Sequence, residues 1–380
     1  MANAQEGELN YVFGDSLPEI GRTWPVVEGV RWLRMRLPFA LDHINLWLLR
    51  DHDGGRDGWA IVDCGIDNPG TRAAWEQVFA TELQGLPVLR VICTHMHPDH
   101  IGLAQWLTER WQCRLWISAT DWNAARVASS AIGDAHSGHG AADFYALHGL
   151  NDPAALAEVR ERSNLYASMV RQVPDQFRRL MHGMRLRIGN HDWQCIAGYG
   201  HAPEHIALHC PDIDWAPAAP AAPPPQAAAA GLGAARRPAG VLIAGDMVLP
   251  RISTNISVYD TEPEANPLPL YLESIRALRT LPADTLVLPS HGKPFTGLHR
   301  RIDQLLRHHD ERCAEVLQAC AEAPRSAAEL LAVMFKRELD LHQTTFALGE
   351  AVAHVHALLA HGQLKELRRG DGVLRYATTN

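Results

Sequence analysis

The sequence predicts a layered α/β fold, and three observations carry that prediction. Apolar, β-branched segments alternate with segments of helical periodicity through the first part of the chain. Several of the apolar segments end in a polar residue and a glycine-containing turn. From about His299 the pattern changes to helices followed by a short hairpin. The chain has 380 residues, enough for one large domain and a smaller one, and its 47% hydrophobic and 21% charged content is that of a globular protein.

The first block runs from about Val26 to Leu49, with strand-like VRWLRMRLP and INLWLLR. GWAIVDCGI follows as a buried strand that delivers Asp63 and Gly65, and TRAAWEQVFATEL then has helical spacing. VLRVICTH and RLWIS are further strands, separated by the helical run HIGLAQWLTERW. From about 119 to 184 the sequence predicts a helical insertion built from DWNAARVASSA, AALAEVRERSNLYASMVRQV and DQFRRLMHG. Strands return in WQCIAGYG, HIALHCP and GVLIAGD, and again in TLVLPSHG. Between the second and third lies an Ala/Pro-rich stretch, about 216–239, that has no patterned face and reads as a flexible loop.

The last part, 299–380, predicts a separate small domain. HRRIDQLLRHHDERCAEVLQAC and TTFALGEAVAHVHALLAHGQL read as amphipathic helices flanking a shorter one. Ser326 and Glu329 form a capping-box pattern before AAELLAVMF. KELRRGDGVLRYAT reads as two strands around a Gly-Asp-Gly turn, so the order is that of a winged-helix-like unit.

Composition excludes some classes. A formal net charge of −8 argues against wholesale coating of nucleic acid. The N-terminal residues lack a basic start followed by an apolar core, and no apolar run approaches a membrane span, which predicts a cytoplasmic protein without a membrane partner. The seven cysteines are scattered, without a C-x-x-C pair, and read as reduced thiols that fill the core.

The chemistry lies in THMHPDHIG, residues 94–102, where a predicted strand gives way to a helix. His95, His97, Asp99 and His100 fall at fixed spacing on that junction, where α/β proteins present functional side chains. His201, Asp246 and His291 are each delivered by another strand end. Together they supply seven ligand groups, which suits two divalent metal ions: zinc first, with manganese or iron as alternatives. Such a pair can generate a metal-bound hydroxide for hydrolysis.

With those residues in place, the sequence resembles the metallo-β-lactamase superfamily of binuclear hydrolases from about residue 26 to 298. The resemblance implies an αββα sandwich as the catalytic domain over 1–298. It also implies one metal held by His95, His97 and His201, a second held by Asp99, His100 and His291, and Asp246 bridging. Asp99 would also serve catalysis. Asp63 would orient a ligand histidine, and His205 would stand behind a ligand or beside the substrate. No cysteine occupies a ligand position and the bridging Asp246 is present, so the pattern looks closer to the glyoxalase II-type branch than to antibiotic-hydrolysing enzymes. The final residues are similar to the winged-helix-like tail of the lactamase-β-like protein 2 group.

The expected function is hydrolysis of a small ester, thioester or lactone. Trp122, Phe144, Tyr145, Tyr166 and Met169 of the insertion are candidates for an acyl pocket, with core packing as the alternative. His148 could approach the metals from the insertion, whereas His136 and His139 read as solvated loop residues. The competing reading is a nuclease using Lys365, Arg368, Arg369 and Arg375 near the hairpin. Iron-dependent oxygen chemistry ranks below both, and the tail could instead mediate a homodimer.

Overall fold

The structure, a computed structural model, describes residues 6–130, 138–161, 165–213, 237–368 and 370–379. In chain order its elements begin with β1 (Asn10–Tyr11), β2 (Thr23–Val27), β3 (Val30–Arg36), β4 (His43–Asp53), β5 (Arg56–Val62), α1 (Pro69–Thr81) and β6 (Val88–Ile92). There follow α2 (Pro98–Ile101), α3 (Ala104–Trp111), β7 (Arg114–Ser118), α4 (Ala119–Ser129), α5 (Gly138–Leu147), α6 (Pro153–Glu161) and α7 (Leu165–Met169). The second half holds β8 (Phe177–Leu180), β9 (Arg185–Ile188), β10 (His191–Gly198), β11 (His205–Cys210), β12 (Val241–Gly245), α8 (Pro267–Ala277), β13 (Leu286–Pro289) and β14 (Phe295–Thr296). The chain closes with α9 (Leu298–Glu322), α10 (Ala327–Met334), α11 (Leu341–Ala360), β15 (Leu364–Arg368) and β16 (Leu374–Thr378).

The described residues build two seven-stranded sheets, ordered β2-β3-β4-β5-β6-β7-β8 and β1-β14-β13-β12-β11-β10-β9. Strand pairing explains why the apolar runs in β6, β11 and β12 are buried throughout: both faces of each sheet are covered. Between the sheets lies one core of Trp32, Trp47, Ile92, Trp193, Ile206, Ile243 and Leu288. The outer face of the first sheet packs α1, α2 and α3 through Trp75, Val78, Ile101 and Leu107. The outer face of the second packs α8, α9 and α11 through Tyr271, Ile302, Leu348 and Val352. This is the αββα sandwich that the sequence implies.

Three helices and the β15–β16 hairpin follow in the expected order, and the Ser326–Glu329 capping box forms in full. Their core is continuous with that of the second sheet, because Val287 and Phe295 belong to the same buried cluster as Leu330, Leu358 and Tyr376. Arg301, near the start of α9, donates to the carbonyls of Leu249 and Ile252, so this long helix is anchored on the sandwich before it reaches the tail.

One expectation needs correction. DQFRRLMHG does not form a helix: Phe177–Leu180 is a strand that pairs parallel with β7 and closes the sheet edge. Tertiary pairing outweighs the weak local pattern there, with Phe177 stacked on Trp122 at 4.4 Å and Arg178 lying 4.4 Å over the Trp116 ring. The aromatic residues of the insertion take the alternative weighed for them and pack into cores. Phe144 and Tyr145 pack into the core shared with the C-terminal helices, whereas Trp122, Tyr166 and Met169 pack on the first sheet's helix layer. His136, the His139 side chain, Arg369 and residues 214–236 of the Ala/Pro stretch lie outside the described residues. Among the described residues, no helix is long and apolar enough to cross a membrane.

Candidate metal centre

The strand ends converge. β6 ends at Ile92, and the turn that follows carries His95 and His97 into α2, where Pro98 opens the helix with its fixed φ and Asp99 and His100 occupy the first turn. β10 leads into the turn with His201, β12 ends one residue before Asp246, and β13 ends two residues before His291. The structure therefore brings all seven candidate ligands to one edge of the sandwich.

Their donor atoms fall into three groups in which all atoms lie within 4.8 Å of one another: His95, His97 and His201; His95, His100 and Asp246; and Asp99, His100 and His291. In the first, His95 Nε2 lies 2.9 Å from His97 Nδ1 and 3.3 Å from His201 Nε2. In the third, Asp99 Oδ2 lies 3.4 Å from His291 Nε2 and 3.7 Å from His100 Nε2. Asp246 spans the two. Its Oδ2 is 3.4 Å from His201 Nε2, while its Oδ1 is 3.5 Å from both His100 Nε2 and His291 Nε2.

The opposite ring nitrogens are anchored. His201 Nδ1 donates to the Asn255 carbonyl at 2.8 Å and His291 Nδ1 to the His43 carbonyl at 2.7 Å. His100 Nδ1 donates to Asp63 Oδ2 at 2.9 Å. Each bond keeps a proton on Nδ1 and turns Nε2 towards the centre, the nitrogen that a metal would take once it is unprotonated, as is typical of metal-bound imidazoles. Asp63 holds a left-handed backbone, φ 63°, and its carboxylate also accepts the Thr94 N–H at 2.8 Å and the Thr94 hydroxyl at 2.9 Å. It thereby links the end of β5 to the loop after β6.

His205 lies at the back of the centre, away from solvent. It is fully buried, its ring is 5.0 Å from that of His95, and its Nε2 accepts the Asp246 N–H at 3.2 Å. A Cβ on Gly245 would run into that ring, so glycine is required where β12 hands over to Asp246. His205 therefore packs behind Asp246 and holds its backbone N–H. His148 also lies elsewhere: its Nδ1 pairs with the Tyr376 hydroxyl at 3.2 Å, tying the insertion to the C-terminal hairpin.

Burial and mutual repulsion keep His95 and His97 neutral. Desolvation, reinforced by the His100 and His97 rings, holds His95 well below the usual imidazole range, and desolvation with His201 takes His97 down to about 3. The second group has the opposite balance. Burial opposes the charge on His100, yet the carboxylates of Asp63, Asp99 and Asp246 push it up to about 9. Burial likewise opposes ionisation of Asp99, but His100 and His291 bring its carboxyl down to about 2.

The donor set fits divalent metal ions on an observation independent of spacing. His100 Nε2 and Asp246 Oδ1 are both buried and neither has a hydrogen-bond partner. Buried polar atoms are rarely left so, and a cation between them satisfies both. His95, His97 and His201 would hold one ion, and Asp99, His100 and His291 a second. Proton release would accompany uptake at the second group, because its imidazoles must become neutral.

Sequence reasoning did not find His43 and Asn255. They act through backbone carbonyls, which leave no side-chain signature. Their only signal is position, since each lies in a segment that flanks a ligand strand.

Comparison with known proteins agrees with this geometry. Residues 40–212 match the family described as the metallo-beta-lactamase superfamily, and residues 313–379 match the metallo-beta-lactamase-like C-terminal domain. The crystal structure of a beta-lactamase domain protein from Burkholderia ambifaria is 51% identical, covers 99% of this chain and 100% of its own, and superposes with a TM-score of 0.87. A metallo-beta-lactamase family protein from Thermus thermophilus shares the fold at 24% identity and a TM-score of 0.69, over 93% of this chain and 100% of its own. A probable metallo-hydrolase of Bacillus subtilis (strain 168) is 22% identical over 354 residues, 91% of this chain and 97% of the relative. With the sandwich, the His/Asp clusters and these relatives in agreement, the chain belongs to the metallo-β-lactamase superfamily and is a metallo-hydrolase.

Proposed function

We propose that the protein is a binuclear metal-dependent hydrolase of a small ester, thioester or lactone. The observation that carries the reading is Asp246, whose two carboxylate oxygens face different histidine groups at 3.4 and 3.5 Å. A carboxylate so placed can serve two ions at once, which a mononuclear centre does not need. When bound, two divalent ions supply Lewis acidity and make water acidic enough to be a nucleophile near neutral pH.

The chain's own residues do the rest. His43 and Asn255 fix the tautomers of His291 and His201 through their carbonyls, and Asp63 does the same for His100. Among the two carboxylates at the centre Asp99 is the more open, its side chain 18% exposed against 10% for Asp246. We assign Asp99 the proton-accepting role at its carboxylate oxygen, because it is the carboxylate at the centre that solvent reaches more readily. The imidazole-rich first group favours zinc, and the mixed second group also suits manganese or iron. The H-x-H-x-D-H run, the bridging Asp246 and a three-helix tail with a hairpin support placement near the glyoxalase II-type branch, with a winged-helix-like C-terminal domain. Seven free cysteines suit a reducing compartment such as the cytoplasm.

A small acyl substrate is favoured over a polynucleotide by the hairpin itself. Arg375 is paired with Asp371 at 2.7 Å and Arg368 with Glu366 at 2.9 Å, so two of the candidate phosphate contacts are engaged within the chain. The test is turnover by the zinc- or manganese-loaded protein against ester, thioester, lactone, phosphodiester and RNA substrates. Preference for an acyl substrate, lost in D99N, supports the assignment. RNA cleavage that needs Asp99 and falls steeply with salt would replace it with a nuclease.

A further inference from the structure

Asp121 sits at the third position of α4, where the Ser118 side chain caps the helix by accepting the Asp121 N–H at 3.1 Å. An acidic residue in a helix's first turn ordinarily faces solvent. Asp121 does not: it is fully buried. Its Oδ1 accepts the backbone N–H of Met96 at 2.8 Å, and its Oδ2 accepts the backbone N–H of Glu204 at 2.6 Å. Met96 is the residue between His95 and His97. Glu204 lies three residues beyond His201. One carboxylate thus straps together the two loops that supply the first histidine group.

A second bond holds the same residue from its other side. The Tyr166 hydroxyl, from α7 of the insertion, donates to the Met96 carbonyl at 2.6 Å. Both backbone polar groups of Met96 are therefore fixed by side chains of the insertion. Thr120 adds a peripheral tie, its hydroxyl donating to the Glu204 carboxylate at 2.8 Å. The other group is oriented by different residues: Asp63 beside His100 and the His43 carbonyl beside His291.

We propose that Asp121, seconded by Tyr166, is a positioning residue that sets the geometry of His95, His97 and His201 and selectively determines how tightly that trio holds its metal ion. The helical insertion then acts on the centre from behind the ligand loops, in addition to any contact it makes with substrate. Charge-assisted bonds to two backbone donors give the carboxylate its leverage. An asparagine has the same shape but must turn its NH2 towards one of the two N–H groups. One loop would be released and a buried donor left without a partner. Loss of such an outer partner weakens metal binding by about 10- to 100-fold.

The inference rests on the ligand assignment above, and the experiment separates the two. Full-length wild type, D121N, H201A and D99N are loaded with cobalt(II) and titrated with a chelator. Metal per chain is followed by elemental analysis and site geometry by the visible cobalt spectrum, with thermal unfolding as the check on folding. If the ligand assignment is right, H201A and D99N each lose one ion and leave distinguishable spectra; if they do not, that assignment fails whatever D121N does. The clamp predicts that D121N releases one ion at about 10- to 100-fold lower chelator concentration than wild type. The remaining spectrum should be that of H201A and not that of D99N. Equal weakening of both ions, or none, in folded D121N overturns the proposal. Should D121N fail to fold, Y166F gives the decision, because it removes only the hydroxyl that holds Met96: a smaller loss with the same selectivity supports the clamp, and unchanged release of both ions refutes it.

Discussion

Asp63→Asn tests whether this carboxylate acts chiefly through His100, since it also holds Thr94, whose hydroxyl lies 3.1 Å from His95 Nδ1. The left-handed backbone of Asp63, φ 63°, is one that asparagine adopts and alanine resists, so Asn isolates the chemistry from backbone strain. In the wild type, Asp63 accepts from His100 Nδ1 at 2.9 Å, so Nε2, which faces Asp246, is the nitrogen that gives up its proton to a metal. An Asn at this position can keep the Thr94 N–H bond through its oxygen, but its NH2 then faces His100 Nδ1. That donor favours the reversed tautomer and places a proton on Nε2, the atom a metal would need. The expected loss is about 10- to 100-fold in affinity for one ion, equivalent to about 1.4–2.7 kcal/mol. Asp246→Asn should do more, because Asp246 reaches both groups and both ions should weaken. The assay is metal content per chain across a graded chelator series for wild type, D63N and D246N. D63N losing both ions as completely as D246N, or retaining both like the wild type, would refute the assignment of Asp63 chiefly to His100.

Three further predictions concern Glu350, Gly349 and the C-terminal hairpin. Glu350 on α11 is pushed up from 4.5 to about 7 by burial, against the opposing Arg312 charge and the Asn255 hydrogen bond. A raised carboxyl favours folding while protonated, so its stabilisation is full below pH 4.5 and is lost as pH rises through about 7. The lost contribution is at most about 3 kcal/mol by the unit conversion, and E350Q should flatten this part of the pH–stability curve and unfold later than wild type at pH 8; identical curves would count against the buried ionisation. Gly349→Ala would bring a Cβ to 2.9 Å from both Ser257 Cβ and the Val258 carbonyl oxygen. Overpacking should outweigh the gain in helix propensity and lower stability by about 1–3 kcal/mol, so a raised melting temperature would show that α11 has room to shift. Replacing Lys365, Arg368, Arg369 and Arg375 together by Gln should leave hydrolysis of a small acyl substrate within about twofold of wild type, since a neutral substrate needs no phosphate contacts; a large loss would bring the hairpin into the active site.

Much of the centre was legible because its chemistry lies in side chains placed by a simple rule. Asp63, Asp246 and His291 each follow an apolar run that had to be a buried strand, and such ends converge on one edge of a sheet. The same logic could not find Asp121. Its partners are the backbone N–H groups of Met96 and Glu204, which every residue possesses, and Ser118 to Asp121 looks like any helix start. It also misread FRRL, because two adjacent arginines obscure an edge strand whose stability comes from pairing with β7. His148 misled for a related reason, and the insertion's aromatic residues show the same limit: composition identifies a buried ring, but only the fold decides which core receives it. Asn255 connects these cases, since its carbonyl holds His201 while its side chain meets Glu350 of the C-terminal region.

The central claim is that seven residues on one edge of the sandwich form a two-metal centre bridged by Asp246. Anomalous diffraction from crystals of the metal-loaded protein, recorded at the metal absorption edge, tests it most directly. Two peaks per chain are expected on either side of the Asp246 carboxylate, one among His95, His97 and His201 and the other among Asp99, His100 and His291. A single peak, or a pair that leaves Asp246 without contact to either ion, would contradict it.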